Sequence, residues 1–199
     1  MALDPGTKPT GYFSTFARLF DQLEITTRDG GTLPLDEGMA AAIALVLSIK
    51  GGRGKAMVIG NGGSAAIASH LHNDLTKAVG VRAMIFNEPP LLTALANDDG
   101  YHTVFHTPLK LWAERDDLLI AVSSSGESRS IVDAAALCAE RGCRVLTFSG
   151  FKPSNRLRQL GDVNIYVPSP EYGYVEMAHS VIGHCMTDLA IMHMAAAHA

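Results

Sequence analysis

Four stretches of the chain carry side chains that could do chemistry. In the first, the apolar run Met57-Val58-Ile59 meets Gly60-Asn61-Gly62-Gly63-Ser64, which opens into a helical pattern. Glycines let a backbone turn sharply and come close to a ligand, and a helix start presents unpaired N–H groups with the positive end of its dipole. That order makes an anion site, with Ser64 where an N-cap is expected. The second stretch, Ser123-Ser124-Ser125-Gly126-Glu127-Ser128, again runs from an apolar strand through glycine to a helix start, and its hydroxyls suit a dianionic phosphate. Neither loop has the Gly-x-Gly-x-x-Gly pattern or the Walker lysine, so both nucleotide motifs are weak here. The third stretch places His70 and Asp74 four residues apart on one helix, about 40° apart around its axis. The fourth is the last helix, where Glu176, His179 and His184 interrupt an apolar pattern. Glu176 and His184 lie about 80° apart around that axis. Imidazoles and carboxylates of this kind serve proton transfer beside a carbonyl, and they also serve as metal ligands. His179 reads as a core histidine.

Elements that could position these groups follow in a regular rhythm. Strands are expected over 55–60, 81–86, 117–123, 144–149 and 163–168, alternating with helices over 64–79, 101–114, 127–141 and 174–197 and a short helix over 153–160. Two further helices, 12–23 and 35–49, precede the first strand, behind a loose arm at 1–10. Short apolar strands alternating with helices give an α/β fold with a parallel sheet covered on both faces. Such sheets bind ligands beyond the carboxyl ends of their strands, where both polar loops fall.

With 199 residues, 47% of them hydrophobic, the chain is long enough for one sizeable core and is read as a single domain over 1–199. A net charge of −4 without a basic patch speaks against direct nucleic-acid binding. The apolar run at 39–49 is too short for a membrane span. Cys138, Cys143 and Cys185 have no Cys-x-x-Cys spacing and read as reduced core residues, which points to the cytoplasm.

The Gly60–Ser64 loop, the Ser123–Ser128 loop and Asn97-Asp98 between them resemble the sugar isomerase (SIS) domain family, and from about residue 10 the chain is similar to its phosphoheptose isomerases. The resemblance implies a flavodoxin-like three-layer sandwich with a five-stranded parallel sheet, and a homotetramer with sites between subunits. It implies conversion of sedoheptulose 7-phosphate to D-glycero-D-manno-heptose 7-phosphate, a step of heptose biosynthesis for lipopolysaccharide or capsule. Ser123, Ser125 and Ser128 would hold phosphate. Asn61, Gly62, Gly63, Ser64, Asp98, Ser124 and Glu176 would contact substrate. The family's His-x-x-x-Glu pair falls on His70 and Asp74, and its later Gln and His fall on Glu176 and His184. Asp74 then stands as base and His184 as acid, and all four residues form a Zn²⁺ set. Three departures are visible: Asp74 replaces Glu, Glu176 replaces Gln, and Ala78 stands where the family carries Arg. The helix from Ser64 to Asp74 spans about 15 Å, the length of a linear heptose phosphate. Two other readings share the motif: a non-catalytic module of the replication-initiator-binding kind, and an enzyme for another sugar phosphate.

Overall fold

The structure is a computed structural model that describes residues 8–196. Its centre is one mixed sheet. The core strands are β3 (Ala56–Gly60), β4 (Ala83–Ile85), β5 (Leu118–Ser123), β6 (Arg144–Ser149) and β7 (Val163–Tyr166). Together they form the five-stranded parallel part, in the spatial order β4-β3-β5-β6-β7. This is the flavodoxin-like order, with its reversal between β3 and β5.

The sheet exceeds the expected five strands by two. A hairpin, β1 (Glu24–Thr27) and β2 (Thr32–Leu33), adds to β7 antiparallel and makes the sheet seven-stranded. Asp29-Gly30-Gly31, between the expected helices 12–23 and 35–49, is the hairpin turn, with Gly30 at φ 84°. The β-branched run Ile25-Thr26-Thr27 before it, in the stretch between those two expected helices, forms the first strand.

Alternation along the strands divides the core. Val58, Ile120, Leu146 and Ile165 face the helices α1 (Pro9–Leu19), α2 (Leu35–Ser48), α3 (Gly63–Asp74) and α7 (Tyr172–Ala196). Met57, Ile59, Leu119 and Val145 face α4 (Pro89–Asp98), α5 (His106–Trp112) and α6 (Arg129–Glu140). Covering on both faces explains why every residue of β3, β5 and β7 is buried.

Other boundaries shift. Pro9 and Thr10 already belong to α1, while residues 1–7 of the expected arm lie outside the described residues, as do Ala197 and His198. The helix over 64–79 ends at Asp74 and continues as a wider π turn, Leu75–Val79, closed by Gly80 in the left-handed region. The helix over 153–160 reduces to one 3₁₀ turn, Leu157–Gln159. Cys138 and Cys143 are buried as expected, but Cys185 is exposed on α7. Among the described residues no helix is long and apolar enough to cross a membrane.

Candidate functional site

The Asn61–Ser64 and Ser123–Ser128 turns follow β3 and β5 and meet where the strand order reverses. Together with Tyr172 and Glu176 of α7 they line one cavity of about 240 Å³. The start of α3 borders this cavity, with the Ser64 N–H turned to the Asn61 carbonyl and the Ala65 and Ala66 N–H groups to that of Gly62. Its cap is Gly62, at φ 56°, and not Ser64, which sits inside the first turn and is buried. A side chain at Gly62 would have to enter the left-handed region, so glycine serves the turn better than a capping hydroxyl would.

The serines divide their work. Ser123 Oγ accepts the Gly126 N–H at 3.2 Å, and Ser125 Oγ accepts the Glu127 N–H at 3.2 Å, so both shape the second turn. The Ser128 carbonyl accepts from Ile131 and Val132 to begin α6. Ser124 Oγ is buried without a hydrogen-bond partner among the described residues. A buried unpaired hydroxyl is costly, and Ser124 is among the residues that line the cavity.

Asn61 ties the first turn to α6 and to Tyr101. Its Nδ2 donates to Ser130 Oγ at 3.0 Å, and its Oδ1 accepts from the Tyr101 hydroxyl at 2.9 Å. Tyr101, Ser130 and Tyr172 escaped sequence reasoning; only the strand order brings them to the reversal point. Asp98 stands apart from this cavity. It is the exposed last residue of α4, accepting from Asn97 Nδ2 at 2.7 Å.

The second assembly lies two to three turns along α3. Helices α3 and α7 run side by side in the same direction, with Gly63 against Glu176 at one end and Asp74 against His184 at the other. Asp74 Oδ2 lies 3.4 Å from His70 Nε2 and 3.4 Å from His184 Nδ1, and the two imidazole rings are 4.7 Å apart. Asp74 is largely covered, with 17% of its side chain exposed, while His70 and His184 are about half exposed at 55% and 50%. Donor atoms of these three residues lie within 4.8 Å of one another. Tetrahedral zinc with bonds of about 2.0–2.1 Å separates its donors by about 3.4 Å, so the residues fit the ion.

Glu176 does not join them. Eight residues of helix put it about 12 Å from His184 along α7, too far for one ion. The expected four-residue set is therefore a three-residue set in one chain, and Glu176 belongs to the cavity of the serine turns.

His179, between them on α7, is fully buried. Its Nε2 lies 3.1 Å from the Ser149 carbonyl and donates to it, and Nδ1 has no partner among the described residues. Burial pushes its pKa down to about 4, against a smaller opposing effect of the Ser149 bond. It is a neutral core histidine under the site.

Comparison with known proteins shows what the chain is similar to. The model of the SIS domain matches residues 12–150. The chain is 34% identical over 156 residues to the phosphoheptose isomerase of Geobacter metallireducens, covering 75% of this chain and 82% of that one. It is 35% identical over 162 residues to the phosphoheptose isomerase of Pelobacter propionicus, covering 78% and 84%. The solved phosphoheptose isomerase of Neisseria gonorrhoeae superposes with a TM-score of 0.79 at 27% identity, covering 91% of this chain and 96% of that one.

Proposed function

The chain belongs to the SIS domain family, and on that premise we propose that it is an aldose–ketose isomerase of the phosphoheptose isomerase kind, acting on sedoheptulose 7-phosphate. One observation carries the reading. A single helix, α3, has an anion cradle at its start and the Asp74 carboxylate between two imidazoles about three turns later. A non-catalytic module has no use for that convergence.

The phosphate sits on the backbone N–H groups opening α3 and α6 and on Ser124 Oγ, and the extended chain of the sugar runs along α3. Asp74 takes the C1 proton of the ketose while His184 protonates the C2 oxygen, giving the enediol. The O1 proton then leaves to His184, and Asp74 returns its proton to C2, so the aldose forms with both groups restored. A zinc ion held by His70, Asp74 and His184 supplies polarisation of the carbonyl oxygen when bound. A ligand carboxylate has its lone pair engaged. Turnover that rises with added Zn²⁺ assigns Asp74 to the metal, and turnover that survives chelation assigns it to the proton.

The homotetramer implied by the family has support in a groove of about 980 Å³ between α2 and α7, lined largely by apolar side chains. Val181, Leu189 and Met192 line it from α7 and are 40–65% exposed, within a few turns of the half-exposed His184. A second copy seated there buries the patch and closes the site from outside. The free Cys138 and Cys143 suit a reducing compartment such as the cytoplasm.

Incubation with sedoheptulose 7-phosphate, with and without Zn²⁺, tests the reading. The expected result is aldose formation by the native chain and its loss in His184→Ala. No turnover under any metal condition overturns it. Zinc is checked separately by a rise in unfolding temperature on adding the ion, which His70→Ala abolishes.

A further inference from the structure

Tyr101 is a large aromatic side chain that the fold leaves 49% exposed, yet its position is closely set. It opens the 3₁₀ turn Tyr101–Thr103 after Gly100, whose φ of 90° redirects the chain. Thr103 closes that turn, its N–H and its Oγ1 both donating to the Gly100 carbonyl, at 3.0 and 2.8 Å. Val104 and Phe105, which follow, are buried and tie the turn to the core. From there the Tyr101 hydroxyl donates to Asn61 Oδ1 at 2.9 Å, while Asn61 Nδ2 donates to Ser130 Oγ at 3.0 Å. Asn61 lines the serine cavity and Tyr101 does not. Among the described residues no lysine or arginine lines that cavity, and the Ser64, Ala65 and Ala66 N–H groups are turned to carbonyls of their own turn. The direction of each remaining neutral dipole therefore matters to an anion held there.

We propose that Tyr101 is a positioning residue for the cradle: its hydroxyl holds the Asn61 amide so that an Nδ2–H, and not the amide oxygen, is presented to a bound phosphate. The inference rests on the cradle reading and adds to it a residue that acts without touching the ligand. A primary amide carries two N–H donors at one end and an acceptor oxygen at the other, and the two ends have nearly the same shape. Ser130 can pair with either end, because a hydroxyl both donates and accepts. That anchor alone leaves the amide free to turn over. A phenol is a stronger donor than an aliphatic hydroxyl, so at Oδ1 it favours the orientation in which Nδ2 goes to Ser130 and keeps its second hydrogen available. Without the phenol, the amide turns its oxygen toward the anion in part of the population, and two negative partners meet.

Titration calorimetry with inorganic phosphate reads the cradle without requiring turnover, so its outcome is separate from that of the isomerase reading. Tyr101→Phe is expected to bind phosphate about three- to fivefold more weakly than the native chain, with Tm unchanged. In an Asn61→Ala background the same Tyr101→Phe change is expected to cost nothing further, because no amide is left to orient. Equal losses in the two backgrounds, or no loss in Tyr101→Phe, overturn the positioning role while the cradle reading stands. A drop in Tm that Tyr101→Phe causes with Asn61 present or absent makes the residue a support of the fold and also overturns the role. No phosphate binding by the native chain overturns the cradle and the positioning role together. Should Asn61→Ala not fold, the side-chain NH₂ resonances of Asn61 answer in its place. Saturating phosphate is expected to shift them in the native chain and to shift them less in Tyr101→Phe. Resonances that phosphate leaves unmoved in the native chain, or moves equally in both, overturn the role.

Discussion

The cradle and the His–Asp cluster share helix α3, yet they are built from different material. The cradle is mostly backbone. Its N–H groups are aimed by two strand ends, and its serine hydroxyls largely fold the turn on itself. The cluster is entirely side chain. It hangs three groups on the facing sides of α3 and α7, two of them half exposed. A site made of backbone is fixed once the sheet is fixed, and single side chains contribute little to it. A site made of side chains depends on each one. The difference suits a division in which one end holds a constant phosphate and the other performs the chemistry.

The sharpest break of this contrast is Asp74→Asn. It should lower kcat by about 10²–10⁴-fold with little change in KM, measured with sedoheptulose 7-phosphate. An effect confined to KM would make the cluster a second binding element and erase the contrast. Next comes Gly60→Ala, which challenges the cradle through its backbone. A Cβ there would lie 2.4 Å from the Ser64 carbonyl oxygen, a clash that no rotamer relieves. The expected cost is about 2–3 kcal/mol, read as a drop of roughly 5–10 °C in Tm together with lost phosphate binding.

His179 tests the contrast within α7, since it is the buried histidine between the exposed site residues. Its pKa in the folded chain, about 4, lies below the ordinary 6.5, so the unfolded chain takes up a proton first as pH falls. Its contribution to stability is full above about pH 6.5 and is lost as pH drops toward 4. The loss amounts to about 2 kcal/mol between pH 7.5 and 5. Unfolding of His179→Asn should be correspondingly less sensitive to acid. The smallest effect is expected of Ser124→Ala. Removing a buried hydroxyl with no partner should leave stability unchanged or raise it by about 1 kcal/mol, while affinity for inorganic phosphate falls about five- to tenfold. A loss of both stability and affinity would mean that the hydroxyl has a structural role.

Much of this was legible in the sequence because it follows from local rules. Turn glycines after apolar strands located the cradle, and four-residue spacing paired His70 with Asp74. What was not legible depends on packing between distant segments. Angular spacing on α7 placed Glu176 and His184 on neighbouring faces, but the axial rise between them, which keeps Glu176 from the cluster, needed the parallel course of α3 to give it meaning. Tyr101 reaches Asn61 across 40 positions of sequence, with no spacing signal to announce it. Asp98, a substrate contact by the family resemblance, lies exposed at a helix end. The hairpin was hidden by length, since a two-residue strand such as Thr32-Leu33 is below what alternation can reveal.

That hairpin has a consequence for how copies of the chain can meet. A sheet rim is a row of open backbone groups that invites strand addition. Here one rim is the two-residue β2 and the other the three-residue β4. Neither is long enough to template another strand, so growth edge to edge is discouraged and stable contact is left to the helical faces. Cutting the chain after the hairpin would remove this guard and bare the four-residue β7. The first symptom of such a truncation should be aggregation, ahead of any loss of the site chemistry.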